Sequence, residues 1–338
     1  MKKKLLSLIK IVFFVGLGLI FIYIFLKPLT DQEKQEILNS FTRANYFWII
    51  VSVSIGIISH LSRTVRWIML LKPLGYSPGF RNTCFAVFIG YFANLALPRL
   101  GEVSRCGVLA QYEKIPLQKS FGTVVTERAL DMVIFILLFF TNFFIHLKKI
   151  GEFKNSRVYE TLYNRYSELE NPNLIYYLLV SGLILLAVLA YKLRHKISHT
   201  RLYIKIREII LGFLEGLRSL SAVKKPFWFV FHSLFIWFAY LMMTWVVFFS
   251  LPETGRLGLD VGLTVLVFGS IGIMVIQGGI GIYPWIVAET LLIFGIAETT
   301  GYAMGWLLWS GQTIMIILAG IIAMSLLPAL NNRKNEKH

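Results

Sequence analysis

Six long apolar segments constrain this chain most, because each has eighteen or more residues and is mostly hydrophobic. A helix of that length crosses the roughly 30 Å hydrocarbon core of a membrane. Hydrophobic residues make up 56% of the 338 positions and charged residues only 15%, which excludes a soluble fold. The sequence predicts an all-α polytopic membrane protein with six full spans, at residues 5–26, 46–71, 120–146, 174–191, 227–250 and 302–327.

The charge balance is strongly basic, with 34 Lys and Arg against 18 Asp and Glu, a formal net charge of +16. Basic loops beside apolar spans follow from the positive-inside rule and from attraction to anionic lipid. We therefore expect anionic or phosphate-bearing membrane lipids as partners, and no nucleic acid. Basic residues at 2–4, in the connector 192–226 and in the tail 331–338 predict cytoplasmic N- and C-termini.

Two further apolar segments, residues 82–112 and 261–297, are each interrupted near the middle. The interruptions read ALPRLGE and QGGIGIYP and leave arms of about twelve to sixteen residues. At 1.5 Å per residue such arms reach only about 18 to 24 Å, short of a full crossing. We expect each segment to form a re-entrant helical hairpin. The alternative is two poor spanning helices in each segment, which would give ten crossings.

Counting crossings orders these elements. The start of the chain and the connector share the cytoplasmic side, so an even number of crossings separates them, and four spans already supply it. The first hairpin therefore returns to the cytoplasm, and the second enters from the other side by the same count. This order is an inverted repeat, which is typical of transporters with a site near the membrane midplane. We predict one transmembrane domain over 1–330, with halves of about 1–146 and 174–328, an extracytoplasmic loop at 147–173 and an interfacial amphipathic helix within 192–226.

Eight charged residues lie in membrane segments of the first half, where each unpaired charge costs roughly 2.5 to 3.5 kcal/mol. They are Arg63, Arg66, Arg99, Glu102, Arg105, Glu127, Arg128 and Asp131. Helical spacing gathers them, since Arg63 and Arg66 are three residues apart and Glu127 and Asp131 are four apart. We predict one polar pocket. Five arginines against three carboxylates leave an excess of two positive charges, which suits an anion, and the planar guanidinium fork suits phosphate.

Both interruptions also offer backbone groups to an anion. The second arm of the first hairpin begins near Gly101, which presents free N–H groups and the positive end of a helix dipole. Asn94, before the break, is predicted to satisfy freed backbone or to touch a ligand. Three glycines let a ligand approach the second hairpin closely: Gly278, Gly279 and Gly281. Glu289, in the following arm, is a candidate site for ion or proton coupling.

These residues also have purely structural interpretations, which the sequence leaves open. Glu102 suits the first turn of any helix. The charges at 127–131 can form an ion-pair network that only fixes packing. Arg63 and Arg66 can extend to the cytoplasmic headgroups. The aromatic residues crowded into 227–249 are interpreted as lipid contacts and interface anchors.

Three motifs occur in order: NLALPRLGEVSR at 94–105, SFGTVVTERALDMV at 120–133 and QGGIGIYPWIVAETLLIFGI at 277–296. In this combination the chain resembles the transmembrane region of lysylphosphatidylglycerol synthases and the related stand-alone flippase-like membrane proteins. The resemblance implies a lipid-translocating fold with re-entrant helices, carried by Asn94, Pro98, Arg99, Gly101, Glu102, Arg105, Glu127, Arg128 and Asp131. The chain departs from the family's PGGxGxxE motif: Gln277 replaces the proline, and Pro284 or Trp285 stands where the acid is expected. Glu289 is an unaligned substitute for that acid.

We expect a lipid transporter or flippase of a bacterial-type inner membrane that moves a phospholipid or a polyprenyl-phosphate-linked headgroup through the basic pocket, and no enzymatic activity. The synthases carry a soluble aminoacyl-transferase domain after this region, whereas this chain ends shortly after its last span, so we expect no synthase activity. The alternatives are a membrane-embedded transferase acting on a lipid phosphate and a scaffold subunit that positions an enzyme of envelope-lipid biosynthesis. The sequence lacks DDxxD, DxD and GxxxxGK[ST] motifs and any Cys/His cluster, so we expect no ATP use, metal or other cofactor.

Overall fold

The computed structural model describes residues 29–97, 99–150 and 225–335, with isolated positions before residue 29 and at Val223. Within these ranges the protein is helical and contains no strand. The helices, in chain order, are α1 (Asp31–Arg43), α2 (Tyr46–Leu71), α3 (Phe80–Ala96), α4 (Leu100–Glu113), α5 (Leu117–Ile150), α6 (Pro226–Val247), α7 (Leu259–Val275), α8 (Ile282–Leu292) and α9 (Glu298–Asn335). Short 3-10 turns follow α2, α6 and α7, at Lys72–Leu74, Phe248–Ser250 and Gln277–Gly279.

Four helices in the described part of the chain are long and apolar enough to cross a membrane, at Tyr46–Leu74, Leu117–His146, Pro226–Ser250 and Glu298–Asn331. They coincide with four of the six predicted spans, and only their ends differ. α5 runs on to Ile150, and α9 begins at Glu298 and continues to Asn335, within the predicted tail. The predicted spans 5–26 and 174–191, and almost all of the connector 192–226, lie outside the described residues.

The first interrupted segment forms a pair of short antiparallel helices, α3 and α4. They have 17 and 14 residues, so they are about 25 and 21 Å long. Near the open end of the pair, Glu113 accepts hydrogen bonds from Gly79 N and Asn82 Nδ2. At the closed end, Asn94 of α3 meets Gly101 of α4. The break falls where the sequence predicts it, between the two helices.

The second interrupted segment forms a similar pair, α7 and α8, of 17 and 11 residues. Glycines of α7 allow a close approach, since Gly269 faces the Tyr283 ring and Gly272 faces the Ile286 side chain. The turn between the helices contains three glycines with φ values of 74°, 68° and 74°. Residues with a Cβ atom rarely adopt this left-handed conformation. Glycine is therefore required to close this pair.

The two pairs open at opposite ends of α5. α4 leads into the start of α5 through a short loop, and Leu109 and Ile115 share an apolar cluster there with Leu71 from the end of α2. Near the other end of α5, His146 lies against the Asp260 carbonyl at the start of α7 and packs on Phe294, just after α8. The closed ends of the two pairs therefore approach each other from opposite ends of the bundle, where α3 contacts the Gln277–Gly279 turn.

α2 and α6 pack antiparallel to each other in the middle of the bundle. Ser52 Oγ donates to the Met243 carbonyl near one end, and Ser62 Oγ lies 2.8 Å from His232 Nδ1 near the other. α1 precedes this core, and it is an element that the sequence reasoning did not predict. Its start is a capping box in which Thr30 and Glu33 exchange hydrogen bonds with each other's backbone, and this Thr-x-x-Glu signal was readable from the sequence.

α9 contacts both helix pairs. Gly305 lies against Pro284 of α8, and further along the same helix Gly320 lies against Phe92 of α3. Near the end of α9, the side chains of Asn331 and Asn82 donate hydrogen bonds to each other at 3.0 and 3.1 Å. The small glycines bring α9 close to each pair, so one long helix spans from α8 to the open end of α3 and α4.

Candidate functional site

The centre of the site is a buried group of arginines and carboxylates contributed by α2 and α5. Arg63 Nη1 lies 2.6 Å from Glu127 Oε1 and 2.7 Å from Asp131 Oδ2. Arg66 Nη1 lies 2.7 Å from Asp131 Oδ1, and its Nη2 lies 3.2 Å from Glu127 Oε1. Helical spacing places each pair on one face of its helix, and the two faces meet. Because both arginines are held by carboxylates, they do not extend to the headgroups.

Arg105 joins this group from α4. Its Nη1 lies 3.3 Å from Glu127 Oε2, and its guanidinium lies over the Trp67 ring, 4.6 Å from the centroid. Trp67 Nε1 donates a 2.9 Å hydrogen bond to Thr123 Oγ1 of α5. Cation–π stacking of this kind fixes the plane of a guanidinium. Three helices thus hold Arg105 in one orientation while its side chain remains 5% exposed.

The buried cluster has one positive charge in excess, because Arg63, Arg66 and Arg105 face only Glu127 and Asp131. The Nε atoms of all three arginines, and Nη2 of Arg105, make no hydrogen bond to the described residues. A buried polar group without a partner costs about 1 to 3 kcal/mol. An anion bound at Arg105 would offset the excess charge and accept hydrogen bonds from the free donors of that side chain.

Aromatic residues from α3 and α6 close around Arg63. Tyr240 Oη accepts a 3.1 Å hydrogen bond from Arg63 Nη2, and the Tyr91 ring lies 5.9 Å from the guanidinium carbon. The two tyrosine hydroxyls are 3.5 Å apart. His60 packs against Tyr91 and Phe88, with ring centroids 4.4 and 5.5 Å apart. The cluster therefore links α2, α3 and α5 to α6 in the second half.

A second ion pair lies at the edge of the cluster. Arg128 Nη2 on α5 donates a 2.9 Å hydrogen bond to Glu102 Oε1 in the first turn of α4, and the two side chains are 44% and 18% exposed. Beside it, the Gly101 N–H donates to Asn94 Oδ1 at 2.8 Å. Asn94 thus satisfies one of the free backbone donors at the start of α4, one of the two roles that the sequence suggested for it.

These groups border an open pocket between α3, α4 and α5. It contains about 190 Å³ of empty space, including the part open to solvent. Because this figure includes open space, the enclosed part of the pocket is far smaller, with room for about one water-sized group. Its lining consists of Val87, Gly90, Tyr91, Asn94, Gly101, Glu102, Arg105 and Arg128.

The other residues proposed from the sequence are not part of this lining. Arg99 is exposed at the closed end of α3 and α4, where its φ is 63°. In the glycine turn of the second pair, the Gly278 carbonyl accepts a 2.6 Å hydrogen bond from Trp309 Nε1. Glu289 Oε1 accepts a 3.2 Å hydrogen bond from Trp285 Nε1, one turn earlier in α8. Ligand approach at the three glycines and ion coupling at Glu289 stay predictions.

Sequence reasoning missed the neutral residues that shape the site: Trp67, Tyr91, Thr123 and Tyr240. Tyr240 belongs to the aromatic run 227–249, which the sequence assigns to lipid contact. Exposed residues such as Phe227 and Phe238 fit that assignment, but Tyr240 points inward to Arg63. A signal was available, because Tyr240 lies four and three residues after Ile236 and Trp237, which are both buried.

The chain was compared with known proteins. The family model for the lysylphosphatidylglycerol synthase transmembrane region matches residues 7–320. Over 122 residues the chain is 35% identical to UPF0104 membrane protein MJ1595 of Methanocaldococcus jannaschii, a match that covers 35% of this chain. The chain spans about a third of the length of this curated relative, since the match covers 36% of it. No solved structure matches the chain. It is a multi-pass membrane protein that belongs to the lysylphosphatidylglycerol synthase transmembrane-region family.

Proposed function

We propose that this protein is a transporter that moves a phosphate-bearing lipid, a phospholipid or a polyprenyl-phosphate-linked headgroup, across the inner membrane. One observation carries the proposal: a buried arginine cluster with an excess positive charge borders an open pocket between membrane helices. Unpaired charge is costly at this depth and marks substrate pathways in membrane proteins. Arginine donors in a fixed fork are the groups that best match phosphate oxygens.

The arrangement of the helix pairs supports transport. We infer that α3/α4 and α7/α8 are re-entrant hairpins that enter from the cytoplasmic and the outer side, with both chain termini in the cytoplasm. Their arms are short and their open ends lie at opposite ends of α5. Two such hairpins following equivalent spans form an inverted repeat. Folds of this type alternate access around a midplane site by rocking one half against the other.

The carboxylates of the cluster favour binding over chemistry. Asp131 contacts two arginines, and Glu127 contacts the same two and also Arg105. A carboxylate surrounded by guanidinium groups is a poor general base and a poor metal ligand, because the neighbouring positive charges oppose the binding of a proton or a cation. We infer that these acids hold the arginines in place and that the protein acts without a cofactor of its own.

The test is translocation of a fluorescent phospholipid in proteoliposomes that contain the full chain. We expect Arg105→Gln to slow translocation by about tenfold or more, the effect of losing a hydrogen bond to a charged group. Arg128→Gln provides a second variant whose partly exposed side chain makes a folding defect less severe. Arg43→Gln is the matched control, since Arg43 forms an exposed pair with Glu253. Equal rates in wild type, in all variants and in empty vesicles would refute the proposal.

A further inference from the structure

Glu102 occupies a position that an anionic ligand would be expected to take. Its Oε1 accepts the hydrogen bond from Arg128, while its Oε2 is buried and has no hydrogen-bond partner among the described residues. A carboxylate satisfied at one oxygen only is held less firmly than one bound by a bidentate guanidinium. Glu102 thus neutralises Arg128 without filling the pocket, and it lines the pocket itself.

Arg105 lines the same pocket and has unused donors. Its side chain is 5% exposed, yet Nε and Nη2 have no hydrogen-bond partner in the described part of the chain. Nη1 is directed to Glu127 and one guanidinium face is covered by Trp67, so neither of these sides is available to a ligand. The remaining edge of the guanidinium, with Nε and Nη2, is the edge that can bind two oxygens of one phosphate.

The pocket is bordered by an exposed face of α5. Arg128 lies in a stripe of α5 whose other members are apolar and 38 to 61% exposed: Phe121, Val125, Met132 and Ile136. These residues are spaced at three or four positions from one another, as on one face of a helix. Across the opening, Val103 of α4 is also 47% exposed. A headgroup whose acyl chains stay in the bilayer can reach Arg128 through this opening.

We propose that Glu102 is a tethered stand-in for the lipid phosphate. In the empty protein its carboxylate holds Arg128. A lipid entering sideways between α4 and α5 displaces it, and a single phosphate group then binds Arg128 together with the free edge of Arg105. This exchange of one anion for another keeps Arg128 paired throughout, so a charge on a lipid-facing stripe is never left bare. The inference rests on the transport function proposed above and assigns the phosphate position within it.

Binding of short-chain phosphatidylglycerol to the purified full chain in detergent tests the proposal. Removing the internal competitor in Glu102→Gln should tighten binding by roughly fivefold, the equivalent of one partly exposed salt bridge. The gain should vanish in the double variant Glu102→Gln/Arg128→Gln, measured against Arg128→Gln alone. Glu253→Gln is the matched control and should bind as wild type does, because its carboxylate pairs with the exposed Arg43 away from the pocket.

Different results would overturn the role of Glu102 and the proposed transport function. Unchanged or weaker binding by Glu102→Gln would overturn the stand-in role, as would a gain that persists without Arg128; the transport function still stands if Arg105→Gln abolishes translocation. Absence of both lipid binding and translocation in the wild type would overturn both proposals. Inorganic phosphate is the second probe. If it competes with the lipid at equal concentration, the pocket serves a soluble anion, and the lipid assignment is wrong.

Discussion

The two helix pairs share a backbone plan but differ in the side chains at their closed ends. In α3/α4 the start of the second helix is held by Asn94, and charged residues, Glu102 and Arg105, follow within its first two turns. In α7/α8 the turn is made of glycines with positive φ, and the neighbouring groups are Tyr283 and Trp309. One pair is closed by polar side chains, and the other by backbone freedom and aromatic packing.

This difference shows that charge is not needed to build a short antiparallel pair. The second pair reaches the same shape with apolar neighbours, so the arginines and acids of the first pair are not explained by folding. They weigh on stability, since buried ion pairs lose much of their attraction to desolvation. The comparison therefore supports the proposal that a ligand binds at the first pair and that the second pair is a scaffold.

The largest loss of stability is expected when one carboxylate of the buried cluster, which holds Arg105 of the first pair, is removed. Glu127→Gln leaves Arg63 and Arg66 sharing Asp131 and leaves Arg105 without a carboxylate partner among the described residues, and breaking a buried ion pair costs about 3 to 5 kcal/mol. We expect a large drop in the thermal unfolding midpoint in detergent, partly restored by adding Arg105→Gln. Glu253→Gln, which removes a 38%-exposed partner of Arg43, should change stability by about 1 kcal/mol or less. Similar midpoints for these two single variants would show that the cluster is not buried.

The second-largest loss of stability is expected at the closed end of the first pair, where α3 and α4 pack closely. A Cβ atom at Gly101 would lie 2.6 Å from the Asn94 side chain and would overlap the Gly90 carbonyl. Gly101→Ala should therefore cost about 1 to 3 kcal/mol of the free energy of unfolding. Gly107→Ala, on the same helix with nothing within 4 Å, should be neutral or stabilising by up to about 1 kcal/mol. If the two variants have equal unfolding midpoints, α3 and α4 are not packed as described.

A substitution in the glycine turn of the second pair should cost less stability than Gly101→Ala. Gly279→Ala places a Cβ at φ 68° and 3.0 Å from Ile273 Cγ1, and a left-handed residue with a Cβ costs roughly 1 to 2 kcal/mol. Gly295→Ala has a similar φ of 79° but open space around it. The difference between their unfolding midpoints measures packing at the turn alone. A loss of phosphate-lipid selectivity in Gly279→Ala would break the comparison, because it would place the ligand at the second pair as well.

The smallest effect is expected at the hydrogen bond that holds this turn. Trp309→Phe removes the donor to the Gly278 carbonyl, 2.6 Å away, and should cost about 0.5 to 1.5 kcal/mol. Trp228→Phe is the control, at a side chain that is 52% exposed. We expect a lower unfolding midpoint for Trp309→Phe only, with lipid binding unchanged in both. Equal midpoints would indicate that glycine conformation alone sets the turn.

Much of the fold was predictable because its signals are local in the sequence. The length of an apolar segment and a central glycine or proline break identify spans and helix pairs, and α2 ends at Leu71 as predicted. The meeting of Arg63 and Arg66 with Glu127 and Asp131 follows from spacing and from the cost of a bare charge in lipid. Charge is the strongest such signal, because few arrangements can satisfy it.

The rest of the site depends on packing, which spacing does not report. Arg99 and Arg105 look equivalent in the motif, but Arg99 is exposed at the tip, whereas Arg105 is buried under Trp67. Which arginine turns inward is decided by the register between α3 and α4, where Gly90 and Gly101 touch. Neutral residues such as Tyr91 and Tyr240 have no large cost of exposure to lipid, so the sequence does not indicate which way they face.

α9 acts as a strut shared by the two pairs, because it rests on Pro284 through Gly305 and on Phe92 through Gly320. α9 contacts the backbone of α8 at one place, and the Asn82 and Asn331 side chains join it to α3 at another. Neither pair can therefore tilt without moving α9 against the other pair. In the transporter that we propose, a movement of one pair would therefore be passed through α9 to the other pair.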